Sequence, residues 1–148
     1  MEKILVVAAH PDDEVLGMGG TIAKLVSEGK EVSLLIVTDG SSSQYRNADD
    51  LDDIIATKKK ETENAAKILG ISRVLYGGLP DMRLDVTPHI DINRVVESAI
   101  SEIEPDTVFT HFWGDVNVDH QHVYHSVLVA ARPTFGQFVK ELYCFSVP

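Results

Sequence analysis

The sequence contains a single cysteine, Cys144, so no disulfide can form within the chain. That composition fits a reducing, cytoplasmic environment. No apolar run approaches the roughly 20 residues of a membrane-spanning helix, and the N-terminus lacks the features of a signal peptide. Lys and Arg number 13 against 23 Asp and Glu, which gives a formal net charge of −10. We therefore expect no membrane span and no nucleic-acid partner, because binding a phosphate backbone requires a basic patch.

What the sequence does contain indicates one folded domain over residues 1–148. Hydrophobic residues make up 44% of the chain, which is typical of a globular protein of this size. Strand-like apolar segments alternate with helical patterns along the whole length. The strand-like segments are 4–9, 31–37, 73–76, 106–110 and 141–147, and the helical segments are 14–27, 49–69, 89–103 and 119–131. This alternation predicts an α/β fold, a Rossmann-like, mostly parallel sheet with helices on both faces.

Polar segments follow three of these strands. They are residues 10–14, residues 38–40 and residues 111–120. Because ligands of such sheets bind outside the carboxyl ends of the strands, we expect these distant segments to meet at one edge of the molecule.

The first polar segment combines His10 with Asp12 and Asp13 directly after a buried strand. Acidic residues at a helix start can cap the helix and favour its dipole, but capping does not require several acids beside a histidine. Histidine and aspartate are ordinary zinc ligands, so a metal site is the stronger interpretation. The glycines at 17, 19 and 20 do not form a dinucleotide fingerprint, which would place glycine immediately after the strand.

The second dense segment ends in Asp119 and His120. We expect Asp119 to cap the last helix, which places His120 in its first turn, where it can complete a metal site begun by His10 and Asp13. His122 and His125 are interpreted as ordinary surface residues of that helix.

At these residues the sequence resembles the LmbE/PIG-L family of zinc-dependent N-acetylglucosaminyl deacetylases. The family motif Ala-His-Pro-Asp-Asp-Glu is matched from Ala9 to Glu14, and an Asp-His pair ahead of the last helix is matched at residues 119–120. The resemblance covers nearly all of the chain. It implies a hydrolase that removes the acetyl group from an N-acetylglucosamine-type sugar or sugar conjugate.

The resemblance also implies roles for individual residues. His10, Asp13 and His120 correspond to the ligands of a Zn²⁺ cofactor, and Asp12 to the general base acting on a zinc-bound water. Many relatives carry a histidine, thought to stabilise the oxyanion, where this sequence has Asn117. The asparagine amide or His111 would have to take that catalytic role, and the sequence leaves the choice open.

The other candidate site residues are predicted to contact the sugar from the rim of the pocket. They are Asp39, Arg46, Asp81, Arg83 and Trp113. Each has an alternative role in turn formation, on the charged surface or, for the tryptophan, in the core. The family domain usually extends beyond a last strand like this one, so residues 1–148 form either a minimal member or a domain lacking a C-terminal portion. The second case would expose apolar surface and favour a homo-oligomer.

Two other functions fit parts of the pattern. A non-catalytic sugar- or metal-binding α/β module of the same fold would need the same pocket without turnover. A magnesium-dependent phosphate-transfer or receiver-type domain also has acids after its first strand, but Mg²⁺ prefers all-oxygen ligands, and the histidines favour zinc.

Overall fold

The computed structural model describes residues 1–41, 50–134 and 136–148. Within them, strands and helices alternate as expected. The elements are β1 (Lys3–Ala8), α1 (Asp13–Ser27), β2 (Glu31–Thr38), α2 (Leu51–Leu69), β3 (Arg73–Leu79), α3 (His89–Ile103), β4 (Thr107–His111), α4 (Val118–Ala130) and β5 (Glu141–Phe145). All neighbouring strands pair in parallel, in the order β3-β2-β1-β4-β5. The predicted α/β class is confirmed, with an all-parallel sheet. No helix of the described part of the chain is long and apolar enough to cross a bilayer.

The hydrophobic core lies on both faces of the central strand β1. Leu5 and Val7 pack on one face with residues of α3 and α4, whereas Ile4 and Val6 pack on the other with residues of α1. Because successive strand side chains point to opposite faces, a strand covered on both sides has to be apolar at every position. This explains the continuous apolar run of β1.

The strand order changes direction at β1. The chain runs outward from β1 through β2 to β3, then returns to the other side of β1 to form β4 and β5. Such a switch point leaves a crevice outside the carboxyl ends of the two central strands. The polar segments after β1 and β4 both open into that crevice.

Most element boundaries lie within one or two residues of the sequence-based prediction, and two differences have a clear physical reason. The predicted loop from residue 77 is instead the end of β3, which continues to Leu79. A Cβ on Gly77 would lie 2.5 Å from the Val37 carbonyl oxygen, so only glycine permits this close strand pairing. The predicted cap Asp119 lies inside α4, and the helix is capped by Asn117, whose Oδ1 accepts from the Asp119 N–H at 2.9 Å.

Candidate metal centre

The turn between β1 and α1 places two potential ligands side by side. The His10 N–H donates to Asp13 Oδ2 at 2.8 Å. The carbonyl oxygen of Asp12 accepts from the N–H groups of Val15 and Leu16, at 3.0 and 2.9 Å, and so begins the helix. The loop after β2 packs closely against this turn at Gly40 (φ +68°). A Cβ on Gly40 would lie only 2.6 Å from Pro11 Cγ, so the close approach requires glycine.

Helix α4 brings the third potential ligand to the same point. His120 Nε2 lies 3.3 Å from Asp13 Oδ2 and 3.2 Å from His10 Nδ1, and His10 Nδ1 lies 3.3 Å from Asp13 Oδ2. These three atoms, which we call the ligand triangle, come from residues predicted to bind the metal. The structure therefore brings all three predicted ligands together.

The dimensions of the ligand triangle fit a zinc ion. In a tetrahedral site with bonds of about 2.0–2.1 Å, neighbouring ligand atoms are about 3.3–3.4 Å apart. The three separations of 3.2–3.3 Å match that spacing. Two imidazole nitrogens and one carboxylate oxygen are also a donor set of catalytic zinc sites, which keep the fourth position open.

Carboxylates hold the two histidines by their other ring nitrogens. His10 Nε2 lies 3.2 Å from Asp119 Oδ2 and 3.4 Å from Asp81 Oδ1, and His120 Nδ1 lies 2.8 Å from Asp115 Oδ2. Such contacts fix the tautomer and orientation of metal-binding histidines and raise their basicity. Asp115 and Asp119 were not predicted for this role. The Asp119–His120 pair is a visible signal in the sequence, because it matches the Asp-His motif of the family, but its aspartate is predicted only as a helix cap.

Four carboxylates surround His10 and His120 and give their surroundings a strongly negative charge; they are Asp13, Asp81, Asp115 and Asp119. Burial lowers the pKa of His10, but hydrogen bonds to Asp119 and Asp13 outweigh that effect and raise the pKa to about 10. Burial likewise opposes ionisation of Asp13, yet the contacts of its carboxylate with the imidazoles of His10, His111 and His120 hold its pKa well below the usual range. The surroundings therefore favour positive charge at the ligand triangle, whether a proton or a metal supplies it.

His111 lies behind the ligand triangle. Its ring is 0% exposed and stacks on the ring of His120 with centroids 3.8 Å apart. The N–H of Ala9 donates to His111 Nε2 at 2.8 Å, and the same nitrogen lies 3.3 Å from Asp13 Oδ2. His111 is not among the residues lining the cavity described next, because the His120 ring covers it. Of the two residues considered for the oxyanion, only Asn117 faces that cavity.

The ligand triangle opens into a cavity of about 430 Å³. Its wall contains the three ligands, Asp12, the carboxylates Asp81 and Asp115, and Asn117. Lys58 is the only Lys or Arg lining it among the described residues, and apolar side chains such as Leu16, Met82 and Val116 complete the wall. Asp12 is partly exposed, and burial together with the charge of Asp13 raises its pKa.

The predicted sugar contacts are distributed unevenly around this cavity. Asp81 lines it, whereas Asp39, Arg83 and Trp113 do not. The Asp39 carboxylate accepts from the N–H of Ser41 and holds a turn, Arg83 is exposed, and Trp113 is 61% exposed and packs on Phe112. Arg46 lies outside the described residues. Substrate contact by these residues stays a prediction.

Comparison with known proteins identifies the family. The model of PIG-L, GlcNAc-PI de-N-acetylase, matches residues 5–131 of this chain. The chain belongs to the PIG-L family. The deacetylase YaiS of Escherichia coli, whose function is uncharacterised, is 31% identical over 137 residues, which cover 87% of this chain and 68% of YaiS.

Two further PIG-L relatives act on a defined sugar. The diacetylchitobiose deacetylase of Thermococcus kodakarensis is 29% identical over 144 residues, covering 93% of this chain and 53% of that enzyme. The solved N,N′-diacetylchitobiose deacetylase of Pyrococcus horikoshii, in complex with its inhibitor MPG, superposes with a TM-score of 0.78 at 27% identity, covering 90% of this chain and 52% of that one. The chain thus spans about half to two thirds of the lengths of these relatives.

Proposed function

We propose that this PIG-L protein is a zinc-dependent hydrolase that removes the acetyl group from an N-acetylglucosamine-type sugar or sugar conjugate. The observation that carries the proposal is the ligand triangle of His10, Asp13 and His120, whose three atoms lie 3.2–3.3 Å apart at the floor of an open cavity. When bound there, zinc would lower the pKa of a water molecule and polarise the acetamide carbonyl. The deacetylase activity of relatives with the same fold supports this choice of reaction.

Asp12 is the proposed general base. Its side chain lines the cavity next to the ligand Asp13, and it makes no hydrogen bond to the histidines. A carboxylate with a raised pKa can accept the proton of the attacking water as the new carbon–oxygen bond forms. The protonated Asp12 then donates that proton to the sugar nitrogen as the carbon–nitrogen bond breaks, releasing acetate and the free amine.

Asn117 is the proposed partner of the developing oxyanion. Its Oδ1 is occupied by capping α4, so its amide group is held with Nδ2 facing Met82, 3.7 Å from Sδ. A thioether is a weak acceptor, so a substrate oxygen can take its place. One oxyanion donor of this kind typically contributes about 10²–10³ in rate.

The proposal is tested by metal analysis and an acetate-release assay on one preparation. Protein purified without added zinc should contain about one zinc per chain and release acetate from N-acetylglucosamine or N,N′-diacetylchitobiose. The Asp13→Ala variant should lose both properties, while Asp85→Ala, which changes an exposed carboxylate outside the cavity wall, should keep them. A zinc-loaded protein that releases no acetate would instead support a non-catalytic binding module. A preparation without zinc would contradict the zinc proposal, and zinc retained in Asp13→Ala would place the metal site elsewhere.

A further inference from the structure

The backbone of Asp12 adopts a conformation that side-chain-bearing residues rarely occupy. Its φ of 98° and ψ of −22° lie on the left-handed side of the conformational map, where a Cβ crowds the backbone. Neighbouring structure has to hold such a residue in place. The carbonyl side is held by α1, because the Asp12 oxygen accepts from the N–H groups of Val15 and Leu16.

The amide side of Asp12 is held by Glu14. The Glu14 carboxylate is almost fully buried, at 1% exposure, and its Oε2 accepts from the Asp12 N–H at 3.1 Å. This contact resembles a capping box, in which a glutamate three residues into the helix bonds the N-cap amide. Here the glutamate occupies the second helical position, so the contact spans only two residues. Burial of a carboxylate is costly without such a bond, which argues that the contact is specific.

Holding both backbone groups of Asp12 fixes the direction of its side chain. The Cα–Cβ bond is set by the positions of the N–H and the carbonyl, and here it directs the carboxylate to the cavity that holds the ligand triangle. Without Glu14 the amide loses its partner, and rotation to a negative φ relieves the crowding. Because the carbonyl side is held by α1, that rotation changes the angle between the Asp12 carboxylate and the His10–Pro11 segment while leaving Asp13, the next residue, in the helix.

We propose that Glu14 is a positioning residue that orients Asp12 for proton transfer through the Asp12 amide. The inference rests on the proposed function, because it assigns Glu14 a purpose in the same reaction. Glu14 itself is not among the residues lining the main cavity and is not part of the ligand triangle; it lines a smaller neighbouring cavity that shares Asp12 and Lys58 with the main one.

The first test compares Glu14→Ala and Glu14→Gln with the parent in acetate release, zinc content and thermal unfolding. Glu14→Ala should lower kcat roughly 10- to 100-fold with little change in KM, and zinc should stay at the parent content. Glu14→Gln keeps a carbonyl oxygen for the Asp12 N–H, so its kcat should lie within a few-fold of the parent. Glu63→Ala removes an exposed helical carboxylate and serves as the matched control. Unchanged kcat in Glu14→Ala, or zinc loss parallel to activity loss, would overturn the proposal.

The second test asks whether Glu14 acts through Asp12. In an Asp12→Asn background, adding Glu14→Ala should cost no further activity, because the base that Glu14 orients is already absent. Independent, multiplicative losses would overturn the proposal. If Asp12→Asn alone were as active as the parent, the proposed mechanism would fail for Asp12 itself, and this outcome is distinguishable from a failure of Glu14.

A third measurement does not depend on activity. Amide hydrogen exchange of Asp12, followed by NMR in the folded protein, should be slow in the parent and in Glu14→Gln. It should become at least about tenfold faster in Glu14→Ala, since the donor is then released to solvent. Equal exchange in all three proteins would overturn the inference, even if no substrate were turned over.

Discussion

Asp12 and Asp13 are neighbours of the same residue type, but their environments give them different chemistry. Asp13 is buried and lies within 3.3 Å of nitrogens of three histidines, whereas Asp12 is partly exposed in the cavity. The helix start separates them, because Asp13 is the first residue of α1 and Asp12 precedes it with a positive φ. One carboxylate can therefore bind metal while the other remains free to exchange protons.

Substitution of each aspartate by asparagine separates these two roles. Asp12→Asn should retain zinc but lose activity by about 10²–10⁴, because an amide cannot accept the proton of water. Asp13→Asn should lose zinc, since the neutral amide is a poor ligand. Metal content and acetate release are measured on the same samples, with Asp85→Asn as the control. Full activity in Asp12→Asn would show that another group is the base.

Zinc binding should release protons and strengthen as the pH rises. In the metal-free protein, hydrogen bonds to Asp119 and Asp13 prevail over burial and raise the pKa of His10 to about 10. His10 is then protonated at neutral pH, and it has to become neutral before Nδ1 can bind metal. We expect about one proton released per zinc near pH 7. Titration calorimetry in buffers of different ionisation enthalpy measures this number, and binding without proton release would contradict the expectation.

At the scale of elements, the N-terminus of α4 combines a structural and a chemical task in one residue. Asn117 caps the helix through Oδ1, and its Nδ2 faces the cavity. The same helix start carries Asp119 and His120, so the cap also fixes where these side chains lie.

Two substitutions at Asn117 separate the cap from the amide. Asn117→Asp keeps an oxygen acceptor for the Asp119 N–H but removes the donor, so the free energy of unfolding should stay near that of the parent while activity falls about 10²–10³-fold. Asn117→Ala should in addition destabilise the protein by about 1 kcal/mol through loss of the cap. Urea unfolding and acetate release check the two effects, and parent-like activity in Asn117→Asp would rule out the oxyanion role.

The elements themselves could be predicted from the sequence, whereas several of their contacts could not. Continuous apolar runs identified β1 and β2, because a strand buried on both faces has to be apolar throughout. The β3 extension through Gly77 was missed because it depends on close packing against Val37. Asp119 was predicted as a cap, and the structure instead assigns that task to Asn117 because the Asp119 carboxylate faces His10.

At the scale of the whole molecule, the candidate site joins the two helical layers. Asp13 is the first residue of α1 on one face of the sheet, and His120 lies in the first turn of α4 on the other. In a parallel sheet the N-termini of both helices lie at the edge formed by the carboxyl ends of the strands, so the three metal ligands could be named from the sequence. The contacts of Asp81 with His10 and of Asp115 with His120 could not be predicted: Asp81 is named from the sequence only as a sugar contact, and nothing local distinguishes Asp115 from other loop acids.

Removal of the metal should therefore lower global stability. A ligand that binds only the folded state stabilises it by about 4 kcal/mol when present at 1,000 times its Kd. We expect a chelator to lower the Tm of the zinc-loaded protein by roughly 8–16 °C, because a change of 1 kcal/mol shifts the Tm of a domain of about 150 residues by about 2–4 °C. The His10→Ala variant should show no response to chelator. Equal chelator effects on both proteins would indicate that the metal binds elsewhere.

The ligand triangle also has a consequence for the order of folding events. His10 and His120 are separated by 110 positions, so the two nitrogens meet only after the first and fourth strands have paired and α4 has docked. Contacts between such distant residues form late, because the entropy of loop closure is lost before the contacts that offset it have formed. The metal then binds after the fold has assembled and does not guide its assembly. Zinc should slow unfolding and leave the folding rate unchanged, which stopped-flow kinetics with and without metal would reveal.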